Sequence, residues 1–173
     1  MKNLFFVLAI IFYLNGYSQK SFTWDIIDSV NKSKVQIYND SKLFIAETWK
    51  SANDVIQNDD KESGVILLKG ITTYESFFML SNHKWVFRYT IKILIKENKF
   101  RFILENVYCE SAYCETNEWP KIPIGFEWQG YKKCTMSETR YLNVMNVLHE
   151  NLQNIVNQYV SNIKKESVIN GDW

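Results

Sequence analysis

The sequence predicts an α+β domain: an antiparallel sheet of four to five strands with two helices packed on one face. Two observations carry this prediction, a pair of alternating apolar segments around residues 85–105 and a strongly amphipathic segment over 136–165. The chain has 173 residues, 46% of them hydrophobic and 16% aromatic, which fits one domain with a substantial core and excludes a disordered chain. Its net charge is +1, so no overall field favours binding to nucleic acid or to an anionic membrane.

The first 18 residues have the features of a cleaved secretory signal peptide. Lys2 supplies the positive charge, Leu4–Leu14 is an apolar run, and Gly16 and Ser18 are small residues at the −3 and −1 positions of a cleavage site. The run is shorter than the roughly 20 residues that span a bilayer. We therefore expect an exported domain comprising residues 19–173, with no membrane span after cleavage.

The elements before residue 84 are predicted from apolar spacing and from polar turn residues. We expect a short strand at 22–30, a helix at 34–52 capped by Ser33, a polar turn at 58–64, a strand at 65–73 and a loop at 74–83.

A β-hairpin gives the clearest signal. Apolar and polar residues alternate from Trp85 to Lys96, Glu97–Lys99 forms a short polar turn, and the alternation resumes at Phe100. The apolar face is expected to meet the helices at Trp49, Leu148 and Leu152. The opposite face carries Arg88, Lys92, Lys96, Arg101 and Glu105, and we interpret it as a solvated sheet face rather than a phosphate-binding strip.

Residues 110–134 show no periodicity and contain both prolines of the chain, Pro120 and Pro123. A loop of this length in a compact domain is often functional. Two interpretations remain open: the aromatic residues cap the open end of the core, or they form a recognition surface. The candidate binding residues are Trp119, Phe126, Trp128 and Tyr131.

A long helix is predicted after the loop, over residues 136–165. Thr135 and Glu138 have the spacing of a capping box, and apolar residues then recur every three or four positions from Tyr141 to Ile163.

Three cysteines enter the oxidising compartment that export implies: Cys109, Cys114 and Cys134. One disulfide at most forms within the chain, and any of the three pairings is open. A pair between Cys114 and Cys134 would close the loop. A zinc site with His149 lacks the usual CxxC spacing, so we expect no metal.

Residues suited to catalysis are sparse. His83 is expected in a loop and His149 on the last helix, and the chain contains no HExxH, GxSxG, GxGxxG or P-loop motif. The carboxylates Asp59, Asp60 and Glu62 fall in a polar turn and lack the EF-hand pattern. We therefore expect no enzyme activity and no cofactor.

Three segments resemble a known family: FIAETW ending at Trp49, VIQNDDKESGVILLKG over Val55–Gly70, and WVFRYTIKILIKENKFRF over Trp85–Phe102. Together, over about residues 33–108, they resemble an uncharacterised bacterial exported domain with a TATA-binding-protein-like fold. The matching positions are Ala46, Trp49, Gln57, Asp60, Gly64, Ile66, Lys69, Gly70, Tyr89 and Arg101. The resemblance implies a helix–sheet–helix order and a location in the Gram-negative envelope, whether periplasmic or extracellular. The 110–134 loop departs from the family pattern.

These observations together predict a non-enzymatic envelope domain that contacts an unidentified envelope protein through the 110–134 loop or the open sheet face. The alternative is a carrier that holds a small apolar ligand between the sheet and the long helix. An enzyme that uses a cysteine, His149 or the carboxylates at 59–62 is the third hypothesis.

Overall fold

The computed structural model describes residues 22–78, 81–112, 122–124 and 137–165, so the predicted signal peptide at 1–18 lies outside the described residues. The elements are β1 (Trp24–Ser29), α1 (Lys34–Thr48), α2 (Ala52–Val55), β2 (Ile56–Asp60), β3 (Val65–Phe78), β4 (Ser81–Lys96), β5 (Lys99–Ala112), β6 (Ile122–Pro123) and α3 (Glu138–Lys164).

The predicted fold class is confirmed. Within the described ranges, five strands form an antiparallel sheet in the order β1-β5-β4-β3-β2, and the two-residue β6 pairs with β5. The helices α1 and α3 meet over one face of this sheet. Tyr159 of α3 is fully buried there, with its ring centroid 4.5 Å from that of Phe102 on the sheet and 5.3 Å from that of Phe44 on α1.

The hairpin of β4 and β5 forms as predicted, and Lys96 pairs with Lys99 across its turn. The inward residues of β4 are all buried: Phe87, Tyr89, Ile91, Ile93 and Ile95. A bulge in β5 was not predicted. Asn106 has a positive φ of 55°, and the strand register shifts by one residue there, so the buried side chains change from Phe102 and Leu104 to Val107 and Cys109.

The predicted loop at 74–83 is wrong. The strands β3 and β4 pair continuously from Val65 opposite Leu94 to Phe78 opposite Ser81, so His83 lies in a strand and not in a loop. Residues 71–78 are rich in β-branched and aromatic side chains, a composition that favours a strand.

Three element boundaries also differ from prediction. The helix α1 ends at Thr48, and the separate short helix α2 follows it. The strand β2 extends to Asp60, so the polar turn is confined to residues 61–64. The N-cap of α3 is Ser137 rather than Thr135, because the Ser137 side chain accepts the hydrogen bond from the Arg140 amide.

One end of the sheet is closed by backbone contacts among three turns. Asn98, in the β4–β5 turn, accepts from the Val30 amide at 3.0 Å and donates to the Lys32 carbonyl at 3.1 Å. Gly64, with φ of 72°, accepts from the Ile95 amide at 2.7 Å. A Cβ atom on Gly64 would lie 2.4 Å from the Ile95 carbonyl oxygen, so this turn requires glycine.

Candidate functional site

The 110–134 loop is attached to the sheet at the end opposite to the closed turns. The strand β5 ends at Ala112, which pairs with Trp85 at the start of the long apolar stretch of β4. Ile122 pairs with Cys109, and the Ile124 amide donates to the Val107 carbonyl at 3.4 Å. The chain therefore returns to the scaffold in the middle of the loop, at β6.

These attachment points leave two segments before α3, residues 113–121 and 125–136. The predicted binding residues Trp119, Phe126, Trp128 and Tyr131 fall in these segments and lie outside the described residues. The same holds for the disulfide candidates Cys114 and Cys134. The positions at which the chain leaves and rejoins the scaffold are therefore described, whereas the predicted contact residues are not.

The strands β5 and β4, which follow β6 in the sheet, carry buried aromatic and apolar side chains. Trp85 is 3% exposed, and its ring stacks on that of Phe87 at a centroid distance of 6.0 Å. Cys109, the third disulfide candidate, is also buried and pairs with Phe87 on one side and Ile122 on the other. Ile122 of β6 is thus paired with a strand residue that belongs to the buried core.

His149 packs against the N-terminal part of the domain. Its ring centroid lies 5.1 Å from that of Trp24 and 5.8 Å from that of Phe22. The Trp24 indole donates to Gln153 Oε1 at 2.6 Å, one helical turn further along α3. His149 is therefore half-buried in an aromatic cluster, which agrees with its interpretation as a histidine at the rim of the core.

The carboxylates of the β2–β3 region have structural partners. Partial burial opposes ionisation of Asp59, but hydrogen bonds from Lys42 and Tyr38 outweigh it and hold the Asp59 pKa below its usual value. Asp60 accepts from the Ser63 amide at 3.0 Å, and this bond lowers the pKa of Asp60. Across the described ranges, no group of three or more His, Cys, Asp or Glu side chains is placed to hold a metal ion.

Cross-strand ion pairs cover much of the outer sheet face. Arg101 makes two hydrogen bonds to Asp25, at 2.8 and 2.6 Å, and Lys92 lies 2.5 Å from Glu105. Arg88 lies 2.7 Å from Glu110. Arg88, Lys92 and Arg101, three of the four basic side chains predicted for this face, are thus matched by acidic neighbours, which favours a solvated surface over a phosphate-binding strip.

The space between the sheet and α3 is filled by side chains of the protein itself. Tyr159, Phe100 and Phe102 are each at most 1% exposed. The ring centroid of Tyr159 lies 4.5 Å from that of Phe102 and 5.4 Å from that of Phe100. The hypothesis of a carrier with its ligand between sheet and helix gains no support from this packing.

A groove lies between the C-terminal halves of α1 and α3, with a volume of about 590 Å³. Its lining residues are Phe44, Glu47, Thr48, Asn157, Gln158, Ser161, Asn162 and Lys165. The sequence does not indicate this groove, because its polar residues lie on helix faces that, taken alone, are typical of ordinary solvent exposure. The one signal is the concentration of amide side chains near the end of α3.

A five-stranded antiparallel sheet with two long helices on one face defines an α+β domain of the TATA-binding-protein-like class. Residues 24–110 match the family model described as "Domain of unknown function (DUF4468) with TBP-like fold", and the chain belongs to this family. The resemblance predicted from the three sequence segments is confirmed. No curated protein matches the sequence.

Two solved structures show the same fold. A DUF4468 family protein from Bacteroides ovatus ATCC 8483 aligns with a TM-score of 0.55 at 16% identity, over 90% of this chain and 95% of that one. A TBP-like protein from Parabacteroides distasonis ATCC 8503 aligns with a TM-score of 0.56 at 13% identity, over 83% of this chain and 92% of that one. Both alignments cover more of the chain than residues 24–110.

Proposed function

We propose that this protein is a non-enzymatic, exported domain that binds an envelope protein through its 110–134 loop. The observation that carries the proposal is the attachment of the loop: β6 fastens its middle to β5, beside the buried Trp85–Phe87 stack. A binding loop gains from such anchoring, because a fixed backbone loses less conformational entropy on binding. Trp119, Phe126, Trp128 and Tyr131 belong to the residue types that anchor protein interfaces.

The absence of enzyme activity is part of the proposal, and the engagement of the candidate groups supports it. His149 is packed between aromatic rings, and Asp59 is bound by Tyr38 and Lys42. A catalytic base or nucleophile needs access to a substrate in addition to a suitable pKa.

Among the described residues, no helix is both long and apolar enough to cross a membrane.

The loop is tested with the double variant Trp119→Ala/Trp128→Ala, produced in the native cell and cross-linked there. We expect the cross-linked partner to be lost while the thermal midpoint stays unchanged. Trp173→Ala is the matched control, because it removes a tryptophan outside the loop. Retention of the partner contradicts the proposal. A large fall in thermal midpoint supports instead the interpretation that the loop aromatics cap the core.

Export and the redox state of the cysteines are tested by the intact mass of the protein from its own cell envelope. We expect a denatured mass that matches residues 19–173, with a deficit of two hydrogens for one disulfide. A mass that includes residues 1–18 contradicts signal cleavage. Extra mass in the native spectrum that disappears on denaturation supports a tightly held ligand, and thus the carrier hypothesis.

A further inference from the structure

The strand β1 lies at one edge of the sheet, with β5 on one side and no strand of the described ranges on the other. Backbone groups alternate in direction along a strand. The Val30 amide donates to the turn that precedes β5, at 3.0 Å, so the backbone groups of alternate residues point away from β5. These residues are Asp25, Ile27 and Ser29, and their edge can accept a further strand.

The charges of β1 do not protect this edge. Edge strands commonly avoid further pairing by means of charged side chains. Asp25 is neutralised by two hydrogen bonds from Arg101, at 2.8 and 2.6 Å. Asp28 is neutralised by Lys164, whose Nζ atom lies 2.6 Å away. The strand β2 at the other side of the sheet differs, because its exposed residues Gln57–Asp60 are all polar.

Ile27 is the apolar side chain that a further strand would cover. It is 55% exposed, the largest exposed fraction among the large apolar side chains of the described ranges. A two-fold axis at Ile27 would place this side chain opposite its own copy, and β-branched side chains in that arrangement stabilise an antiparallel pair. In the same register, Asp25 of one copy faces Ser29 of the other, so no like charges are opposed.

A second copy also brings a cation towards Asp25. Lys99 pairs with Ser29 on the β5 side, is exposed, and takes part in no ion pair within the described ranges. In this register, Lys99 of one copy lies two strands, or about 10 Å, from Asp25 of the other. The long lysine side chain can extend over the small Ser29 to this carboxylate. The net charge of +1 adds little repulsion between two copies.

We propose that β1 pairs antiparallel with β1 of a second copy, so that two sheets join edge to edge around Ile27. The strand has six residues and a length of about 20 Å, so the interface is small. We therefore expect a dimer that dissociates on dilution. The proposal does not depend on the function proposed for the loop, because the dimer forms in purified protein without an envelope partner.

Sedimentation velocity of the purified protein over a series of concentrations measures the dimer. Ile27→Lys should weaken dimerisation by about tenfold or more, because it removes the apolar pair and places like charges opposite each other. Ile71→Lys is the matched control, since Ile71 is 48% exposed on the same sheet face but lies on β3. Circular dichroism and the thermal midpoint should match those of the parent in both variants.

The proposed contact of Lys99 with Asp25 is tested by Lys99→Glu. This variant should also weaken dimerisation, because it places a carboxylate near Asp25 of the second copy. Lys96→Glu is the control, since it makes the same change of charge at an exposed residue of β4, further from the β1 edge.

The register is tested by disulfide formation. Directly opposed residues of an antiparallel pair have Cα atoms about 4.5–5.5 Å apart, within the range that a disulfide spans. Oxidation of Ile27→Cys should therefore link position 27 of two copies, as identified by mass spectrometry of the linked peptides. Ser29→Cys is the control, because its two copies would be about 13 Å apart along the strand and could not be linked.

Three results would overturn the proposal. One is a monomer at every concentration, and loss of the envelope partner from a monomeric Ile27→Lys variant would assign the edge to that partner instead. Another is a dimer that persists in Ile27→Lys or is lost in Ile71→Lys, which would place the contact elsewhere. The third is a dimer that yields no disulfide at position 27.

Discussion

The two long helices pack on the same sheet by different means. The buried positions of α3 are apolar or aromatic throughout: Tyr141, Val144, Met145, Leu148, Leu152, Val156, Tyr159 and Ile163. The helix α1 also buries Asp40 and Ser41, which are 7% and 0% exposed. Burial of apolar area therefore accounts for the packing of α3, whereas α1 depends on specific polar partners from other elements.

Those partners come from both sides of α1. Lys32, in the segment before the helix, lies 2.7 Å from Asp40 Oδ2. The Ser41 hydroxyl donates to the Ile37 carbonyl at 2.7 Å, so its single proton is already used. Tyr159 of α3 must therefore be the donor in its 3.0 Å hydrogen bond with Ser41. The hydrogen bonding of the buried polar side chains of α1 thus depends in part on the position of α3.

The largest expected effect tests the apolar packing of α3. Leu152 is fully buried, so Leu152→Ala should lower the free energy of unfolding by about 3 kcal/mol through lost burial and the resulting cavity. The measurement is urea denaturation. Asn151→Ala, at an exposed position on the same helix, is the control and should change stability little. A loss below about 1 kcal/mol for Leu152→Ala would show that burial does not dominate the packing of α3.

The next prediction tests the polar dependence of α1. Asp40→Ala should cost about 3 kcal/mol, because it leaves the Lys32 ammonium nearly buried without its carboxylate partner. The double variant Lys32→Met/Asp40→Leu should recover most of this loss, since neither charge then remains. Equal destabilisation of the single and double variants, measured by urea denaturation, would contradict the stated cause.

A smaller effect is expected where the two helices meet. Tyr159→Phe keeps the buried ring and removes the hydroxyl that donates to Ser41, so the loss should be about 1 kcal/mol. A double-mutant cycle with Ser41→Ala measures the coupling between the two side chains. Additive effects of the two substitutions would indicate that the hydrogen bond does not link the helices energetically.

The helix caps provide a direct comparison at the level of single hydrogen bonds. Ser33 forms a full capping box with Gln36 in a partly buried setting, whereas the Ser137 cap of α3 is exposed. Ser33→Ala should therefore cost about 1 kcal/mol and Ser137→Ala about half of that. Thermal denaturation of both variants measures the two losses. A larger loss for Ser137→Ala than for Ser33→Ala would contradict the expectation that the partly buried cap contributes more stability.

The last prediction concerns alkaline pH and one tyrosine of each helix. Burial, followed by the hydrogen bond to Asp59, raises the Tyr38 pKa to about 12, and burial also raises the Tyr159 pKa. A tyrosine whose pKa is higher in the folded than in the unfolded protein contributes stability that is fully present below the unfolded pKa of about 10. This contribution is lost as the pH rises through the folded pKa. Between pH 10 and 11, the raised pKa of Tyr38 should therefore lower the free energy of unfolding by about 1 kcal/mol at most.

Tyrosinate absorbance against pH, with denaturation at each pH, measures this loss. Tyr38→Phe should remove its part of the pH dependence above pH 10 and leave the remainder, to which Tyr159 contributes. A Tyr38 titration near its ordinary pKa of about 10 would contradict the contact with Asp59.

The comparison of the helices also explains which features the sequence predicted well. The apolar stripe of α3 continues from Tyr141 to Ile163, and the alternation in β4 and β5 extends over several residues on each strand. Such local periods identify an element without knowledge of its neighbours. The start of α3 was wrong by two residues, because Thr135 and Ser137 are both good caps and the choice depends on backbone geometry.

The loop predicted at 74–83 failed for a different reason. Its polar residues Ser81, Asn82 and His83 are typical of a turn, but the long pairing of β3 with β4 places them in a strand. Cross-strand pairing over 14 residues outweighs the weak local preference of three polar residues.

Part of the candidate site could also be predicted from the sequence. The sequence indicated an aperiodic aromatic loop, and only the structure located its attachment at β6.

By itself, the sequence determined the α+β class, the central hairpin, the amphipathic final helix and the family, because each is encoded in local spacing or in contiguous motifs. Only the packed structure shows the Asn106 bulge, the Lys32–Asp40 pair and the groove between the C-terminal halves of α1 and α3. Each of these depends on which distant residue lies opposite. A periodic pattern states which side of an element is buried, but the partner that completes a polar contact or the second wall of a groove is set only by packing.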